Sequence, residues 1–99
     1  KNDMEIKTTN YGVCKVKKHK YQTNGNLALS LVDETGQPVV NITTNVFPMG
    51  ENEFCANCFN MGATLWNDIA SSGLFEQTGE SVPSGYCEYP VCKLIVDIE

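Results

Sequence analysis

The sequence predicts an α+β fold: about five mostly antiparallel strands with one short helix packed on a sheet face. Three observations carry this. Leu27, Leu29 and Leu31 alternate with Ala28, Ser30 and Val32 in the two-residue period of a strand with one buried face. Asn24-Gly25 stands just ahead of them as a hairpin signal. Met61, Leu65 and Ile69 lie four apart, the spacing of one helix face. The 99 residues make one domain, residues 1–99, and a chain of that size buries roughly two thirds of its unfolded surface in a single core without needing metal or disulfides.

The elements follow in order. Met4 opens "MEIKTTNYG", which reads as a coding start, so Lys1 to Asp3 are expected to be a remnant ahead of it. Residues 4–21 read as extended structure with a bend or bulge at residues 10–12. Within them Cys14 and Val16 share one face, and Lys15, Lys17 and His19 the other, a stripe expected to face water or to blunt a sheet edge. The Asn24-Gly25 turn is expected to be a two-residue type I′ turn, because both central positions of that turn need positive φ. After the leucine strand, "DETGQP" is a turn, and residues 39–46 form another strand with Val40, Ile42 and Val46 on one side and Asn41, Thr43 and Asn45 on the other. Beyond Phe47-Pro48 the pattern changes. Residues 49–60 read as a loop leading into the helix, with Asn60 as its N-cap, Trp66 as a core anchor and Gly73 as its stop. The chain closes on a strand over residues 86–95. Pro90 lacks a donor, so this strand is expected at an edge or bulged near its middle.

Charge is distributed unevenly. Six of the seven lysines fall in the first twenty residues, arginine is absent, and ten of the twelve acids lie from Asp33 onward, so residues 26–99 carry a balance of −9. Such a surface repels phosphate, and without arginine it has no bidentate contact to phosphate or guanine. Direct nucleic-acid binding is therefore not expected. No apolar run approaches the ~20 residues that cross a bilayer, and no membrane association is expected. Five cysteines cannot all pair within one chain, which favours a reducing, cytoplasmic setting.

With "LALSLVDETGQPVVNITTNV", "NMGATLWNDIASSGLFEQTG" and "SGYCEYPVCKLI" in view, the chain resembles a family of small bacterial proteins of unknown function carried on plasmids, conjugative elements and prophages. The matching features are the Leu-rich strand ending in Val-Asp (residues 27–33), the Gly-x-Pro turn (36–38), a strand similar to Thr-x-Asn-Val (44–46), Phe54, the helix start at residues 60–62 and the closing "PVCKL" of residues 90–94. The resemblance covers roughly residues 11–95. It implies no catalytic residue and no cofactor; it implies an accessory gene of a mobile element, of a kind that often acts by binding another protein. The family's loop at residues 55–60 is polar with an aromatic and has no cysteine pair, so Cys55 and Cys58 depart from it.

Those two cysteines, in "EFCANCFN", are the chain's strongest chemical signal. Zinc needs four converging ligands, and the only second pair is Cys87 and Cys92. An odd separation in a strand points these two to opposite faces unless Pro90 bulges the chain. A redox thiol needs a helix N-terminus or a neighbouring cation, and Cys58 precedes the helix but is flanked by Glu53, Phe54 and Phe59 with no basic residue nearby in sequence. Free, partly buried thiols are the expectation, and the zinc or thiol-redox protein using Cys55, Cys58, Cys87 and Cys92 is the alternative. His19, the sole histidine, sits among lysines and is expected to be solvated rather than catalytic. The acid pairs Asp33 with Glu34 and Glu51 with Glu53 lie in turns, with no glycine-rich phosphate loop beside them.

The functional expectation is a non-enzymatic protein-binding module without cofactor. Asp33, Glu34, Glu51, Glu53, Glu76, Glu80 and Glu88 would engage another protein with a basic surface, as DNA mimics do, and interfere with host defence or regulation. Small-ligand binding on an open sheet face is a third reading, without a residue signature of its own.

Overall fold

The computed structural model describes residues 3–47 and 49–98; Lys1 and Asn2 of the expected remnant, and Pro48, lie outside them. The α+β class, the antiparallel pairing and the helix are as expected, but among the described residues the strands number eight and form two sheets. The first sheet holds β1 (Glu5–Thr8), β2 (Gly12–Lys20), β3 (Leu27–Val32) and β4 (Pro38–Asn41), neighbours in that order. The second holds β5 (Thr43–Thr44), β6 (Glu53–Ala56), β7 (Phe75–Ser84) and β8 (Cys87–Leu94), in the order β5-β6-β8-β7. Between β6 and the helix α1 (Ala63–Ala70) lies a single 3-10 turn, Cys58–Asn60.

The sheets part company at one residue. The strand expected over residues 39–46 breaks into β4 and β5, with Ile42 between them, fully buried. Its N–H donates to the Leu29 carbonyl of the first sheet (2.8 Å), and its carbonyl accepts from the Asn57 N–H that follows β6 (2.8 Å). The change of direction also overturns the expected faces. Thr43, expected on the face opposite Ile42, is buried as Ile42 is, and its hydroxyl accepts from the Leu29 N–H (3.2 Å) and meets the Tyr21 hydroxyl (3.0 Å). Val40 packs on the main core, while Val46 packs on the opposite face of the second sheet.

The first sheet otherwise follows the alternation. Cys14, Val16, Leu27, Leu29 and Leu31 are buried on one face; Lys15, Lys17 and His19 are exposed on the other. The hairpin between β2 and β3 is present, but its turn is longer than the expected type I′. Tyr21 N–H bonds the Asn26 carbonyl (2.9 Å) and Gly25 N–H bonds the Tyr21 carbonyl (2.8 Å), with φ positive at Gly25 and not at Asn24. Asn24 is held by its own side chain: Oδ1 accepts from Asn26 N–H (3.1 Å) and Nδ2 donates to Asn45 (3.2 Å). The buried Asn26 then fastens the hairpin to the segment before β6. Its Nδ2 donates to Asn45 Oδ1 (2.9 Å) and the Phe47 carbonyl (2.6 Å), and its Oδ1 accepts from Met49 N–H (2.9 Å).

Leu65 and Ile69 of α1 are buried in the main core, with Met61 packed beside them and Trp66 stacked on Phe75 (5.7 Å, 22°), as the helical spacing predicts. Asn60 is not the cap. It sits in the 3-10 turn and donates to Asn57 (2.8 Å), and Gly62 takes the N-cap position without a side-chain bond. Asp68 ties the helix to the turn after β1, accepting from Thr9 N–H (2.8 Å) and Thr9 Oγ1 (3.1 Å).

Residues 53–56, expected as loop, are strand β6, and β7 was not foreseen. β8 is internal, but β6 reaches only Val91, Cys92 and Lys93, so Pro90 lies past its end. The bulge expected in β8 lies instead in its partner: Gln77 faces Cys92 and Ser81 faces Pro90, so three β7 residues stand opposite Val91 alone. Thr78 closes the gap by donating its hydroxyl to the Val91 carbonyl (3.0 Å). Ile42→Ala is expected to lower the unfolding free energy by about 2–5 kcal/mol, read as a lower urea midpoint at unchanged m-value, whereas Val40→Ala, at a half-buried position, lowers it less.

Candidate functional site

The second sheet has two covered faces, and the outer one forms the candidate site. Phe54, Ala56, Phe75, Cys92 and Leu94 point into the main core, with Phe54 and Phe75 edge to face at 5.4 Å. Cys55, Val82 and Val91 point the other way and make a second, small cluster with Val46, Met49 and Tyr89. Beside it runs a solvent-open groove of about 590 Å³ lined by Phe47, Met49, Gly50, Glu53, Glu80, Ser81, Val82 and Val91. Its apolar side chains come from the loop before β6 and from β7 and β8; its two carboxylates come from β6 and β7.

The seven acids named from the sequence are not one patch. Asp33 is committed to its turn, where Oδ1 accepts from Thr35 Oγ1 (2.7 Å), Thr35 N–H (2.9 Å) and Gln37 N–H (3.0 Å). These bonds, the Thr35 hydroxyl foremost, hold its carboxyl below the usual range. Asp33 and Glu34 share a recess on the outer face of the first sheet with Glu5, Lys15 and Lys17. Glu51 shares another with Lys18 and Lys20. Lys93 stands cross-strand from both Glu53 and Glu76. Glu53 Oε1 also accepts from Gly50 N–H (3.0 Å), and Glu88 accepts from Ser81 Oγ (2.8 Å). Of the seven, Glu53 and Glu80 meet in the groove.

The four cysteines of the alternative reading divide between the two faces. Cys92 is in the main core, Cys55 is in the outer cluster, and Cys87 lies on the Tyr89 and Val91 side of β8, as the odd separation in β8 predicts. Cys58 is half-buried in the 3-10 turn, whose Phe59 meets Tyr89 edge to face at 5.5 Å. No group of three or more His, Cys, Asp and Glu side chains among the described residues is placed to hold a metal ion. Burial pushes the Cys55 and Cys58 thiols up, and Cys92 up to about 12, the opposite of what a reactive thiolate requires. His19 is exposed on β2, beside Lys18, Lys20 and Asp97. Among the described residues no helix is long and apolar enough to cross a membrane.

Reading the sequence as a chain of elements missed Phe47, Met49, Val82 and Val91. Val82 and Val91 acquire a common face only through the pairing of β7 with β8, and the β7 pattern, with six successive exposed residues before Val82, carries no alternation to announce it.

Two pH effects follow. The Asp33 carboxyl is lowered from 3.8 in the folded chain, so its stabilisation is complete above that value and is lost as pH falls through the folded pKa; Asp33→Asn is therefore less stable than the parent at pH 6, the two converging in acid, measured by urea unfolding across pH. Cys92 is raised from 9.0 to about 12, so its contribution is full below 9.0 and declines as pH rises toward 12; Cys92→Ala shows a flatter alkaline decline, and iodoacetamide labels Cys58 and Cys87 ahead of Cys14, Cys55 and Cys92 by peptide mapping.

A comparison with models of protein families, with curated proteins and with solved structures finds no match to this chain. Its own residues therefore carry the functional reading.

Proposed function

We propose that the chain is a non-enzymatic protein-binding module whose second sheet engages a partner protein with a basic surface. The observation that supports this reading is the division of charge between the sheets. The strands of the first carry five lysines against Glu5, and those of the second carry Glu53, Glu76, Glu80 and Glu88 against Lys93. A sheet in which four carboxylates stand against one lysine directs its field toward an oppositely charged partner, raises the association rate and disfavours partners of like charge. The same carboxylates repel nucleic-acid phosphates. The division of the cysteines between the two faces and the exposure of the single histidine among lysines leave no nucleophile–base pair among the described residues to set beside this sheet.

The proposal extends to context. The resemblance to small mobile-element proteins suits an accessory protein that acts on a host defence or regulatory protein, and five free thiols suit the reducing cytoplasm.

The test is capture from a bacterial lysate on the immobilised chain at low and high ionic strength, with a variant carrying glutamine at positions 53, 76, 80 and 88 in parallel. Basic proteins are expected to be retained at low salt, released as the Debye length shrinks from ~10 Å at 0.1 M toward ~3 Å at 1 M, and retained on the order of tenfold less by the variant. Retention indifferent to both salt and the four substitutions would overturn the reading.

A further inference from the structure

The groove on the outer face of the second sheet carries the reading further. Its lining combines Met49, Val82 and Val91, with the half-exposed Phe47 at one side, and two carboxylates with no cationic side chain among the lining residues. Lys93 stands cross-strand from Glu53 but is not part of the lining. The two carboxylates are held differently. Glu53 is fixed by the Gly50 N–H on Oε1, whereas the Glu80 carboxylate has no hydrogen-bond partner among the described residues.

We propose that this groove receives an extended segment of the partner protein, an apolar side chain lying on Met49, Val82 and Val91 and a neighbouring lysine or arginine held by Glu53 and Glu80. This rests on the protein-binding reading and specifies what the partner presents. Charge complementarity selects the occupant. An apolar segment alone would strip water from two carboxylates and leave them without counter-charge, which is costly. A polar cation alone would leave the apolar lining wet. A lysine or arginine satisfies both, because its methylene stem lies on apolar surface while its head reaches a carboxylate. At about 590 Å³ the space is within the ~300–1,000 Å³ range of ligand sites, and its open form suits a chain passing through rather than a compact ligand enclosed on all sides. Two carboxylates repel a nucleic-acid backbone.

Phosphate-free binding by a displayed library of random short peptides on the full immobilised chain tests this. The expected result is enrichment, by about tenfold or more over the unselected library, of peptides with an apolar residue within two positions of lysine or arginine. Synthetic copies should bind by fluorescence anisotropy and weaken about tenfold or more on Glu80→Lys or Val82→Thr, while Glu5→Lys, exposed on the first sheet and outside the lining, has a smaller effect. Urea unfolding of each variant confirms that it is folded. Enrichment of nothing, enrichment without basic residues, or affinities unchanged by Glu80→Lys and Val82→Thr would overturn the proposal, as would a concentration-dependent dimer that Glu80→Lys abolishes, since a second copy would then be the occupant. If salt-sensitive lysate capture persists while the peptides fail, the peptide mode is wrong and the protein-binding reading stands; if both fail, neither stands.

Discussion

The backbone of Ile42 belongs to both sheets, and the remaining architecture is arranged around that fact. Its N–H completes the ladder between β3 and β4, and its carbonyl begins the one between β5 and β6. In a fully buried position neither group could be left unpaired without losing about 1–3 kcal/mol, so the strand changes sheets where both ladders can be satisfied and nowhere nearby. The side chain fills the junction, and the Thr43 hydroxyl supplies the next acceptor for Leu29. Leu29, Leu31, Phe54, Cys92 and α1 can then share one core although they come from two sheets.

The same junction sets the geometry of the candidate site. Because the main core takes the inner face of the second sheet, the outer face is left with a small cluster of its own, too thin to close. Asn26 holds the loop before β6 against the first hairpin through Phe47 and Met49. The wall of the groove is thereby positioned by the opposite sheet, and the segment carrying Phe47, Met49 and Glu53 meets Glu80 and Val82 of β7, which lie far along the chain.

How much of this could be read from the residues depended on whether each strand had one wet face. β3 did, and its leucines were legible. β6 did not: Phe54 and Ala56 enter the main core while Cys55 enters the second cluster, so "EFCA" has no alternation and looked like loop. β7 failed in the opposite way, with a run of exposed residues through its bulge. Residues 39–46 alternated well enough to pass for one strand, since no local signal distinguishes a straight strand from one that turns at Ile42. Total charge was legible, but not its placement: Asp33, Glu34 and Glu51 lie beside lysines that come from the first twenty residues, and only pairing across strands could reveal it.

The bulge in β7 bears on how any chain could approach this sheet. β7 is the last strand of its sheet, and an unobstructed last strand is a template for pairing with whatever extended chain comes by. Here three residues stand opposite one, Pro83 removes a donor further along, and glutamates bracket the irregular stretch. An incoming strand would lose register within a few residues. The β7 edge of the sheet thus resists both uncontrolled stacking of copies and main-chain pairing, so the proposed recognition rests on side-chain chemistry of the face rather than on an added strand.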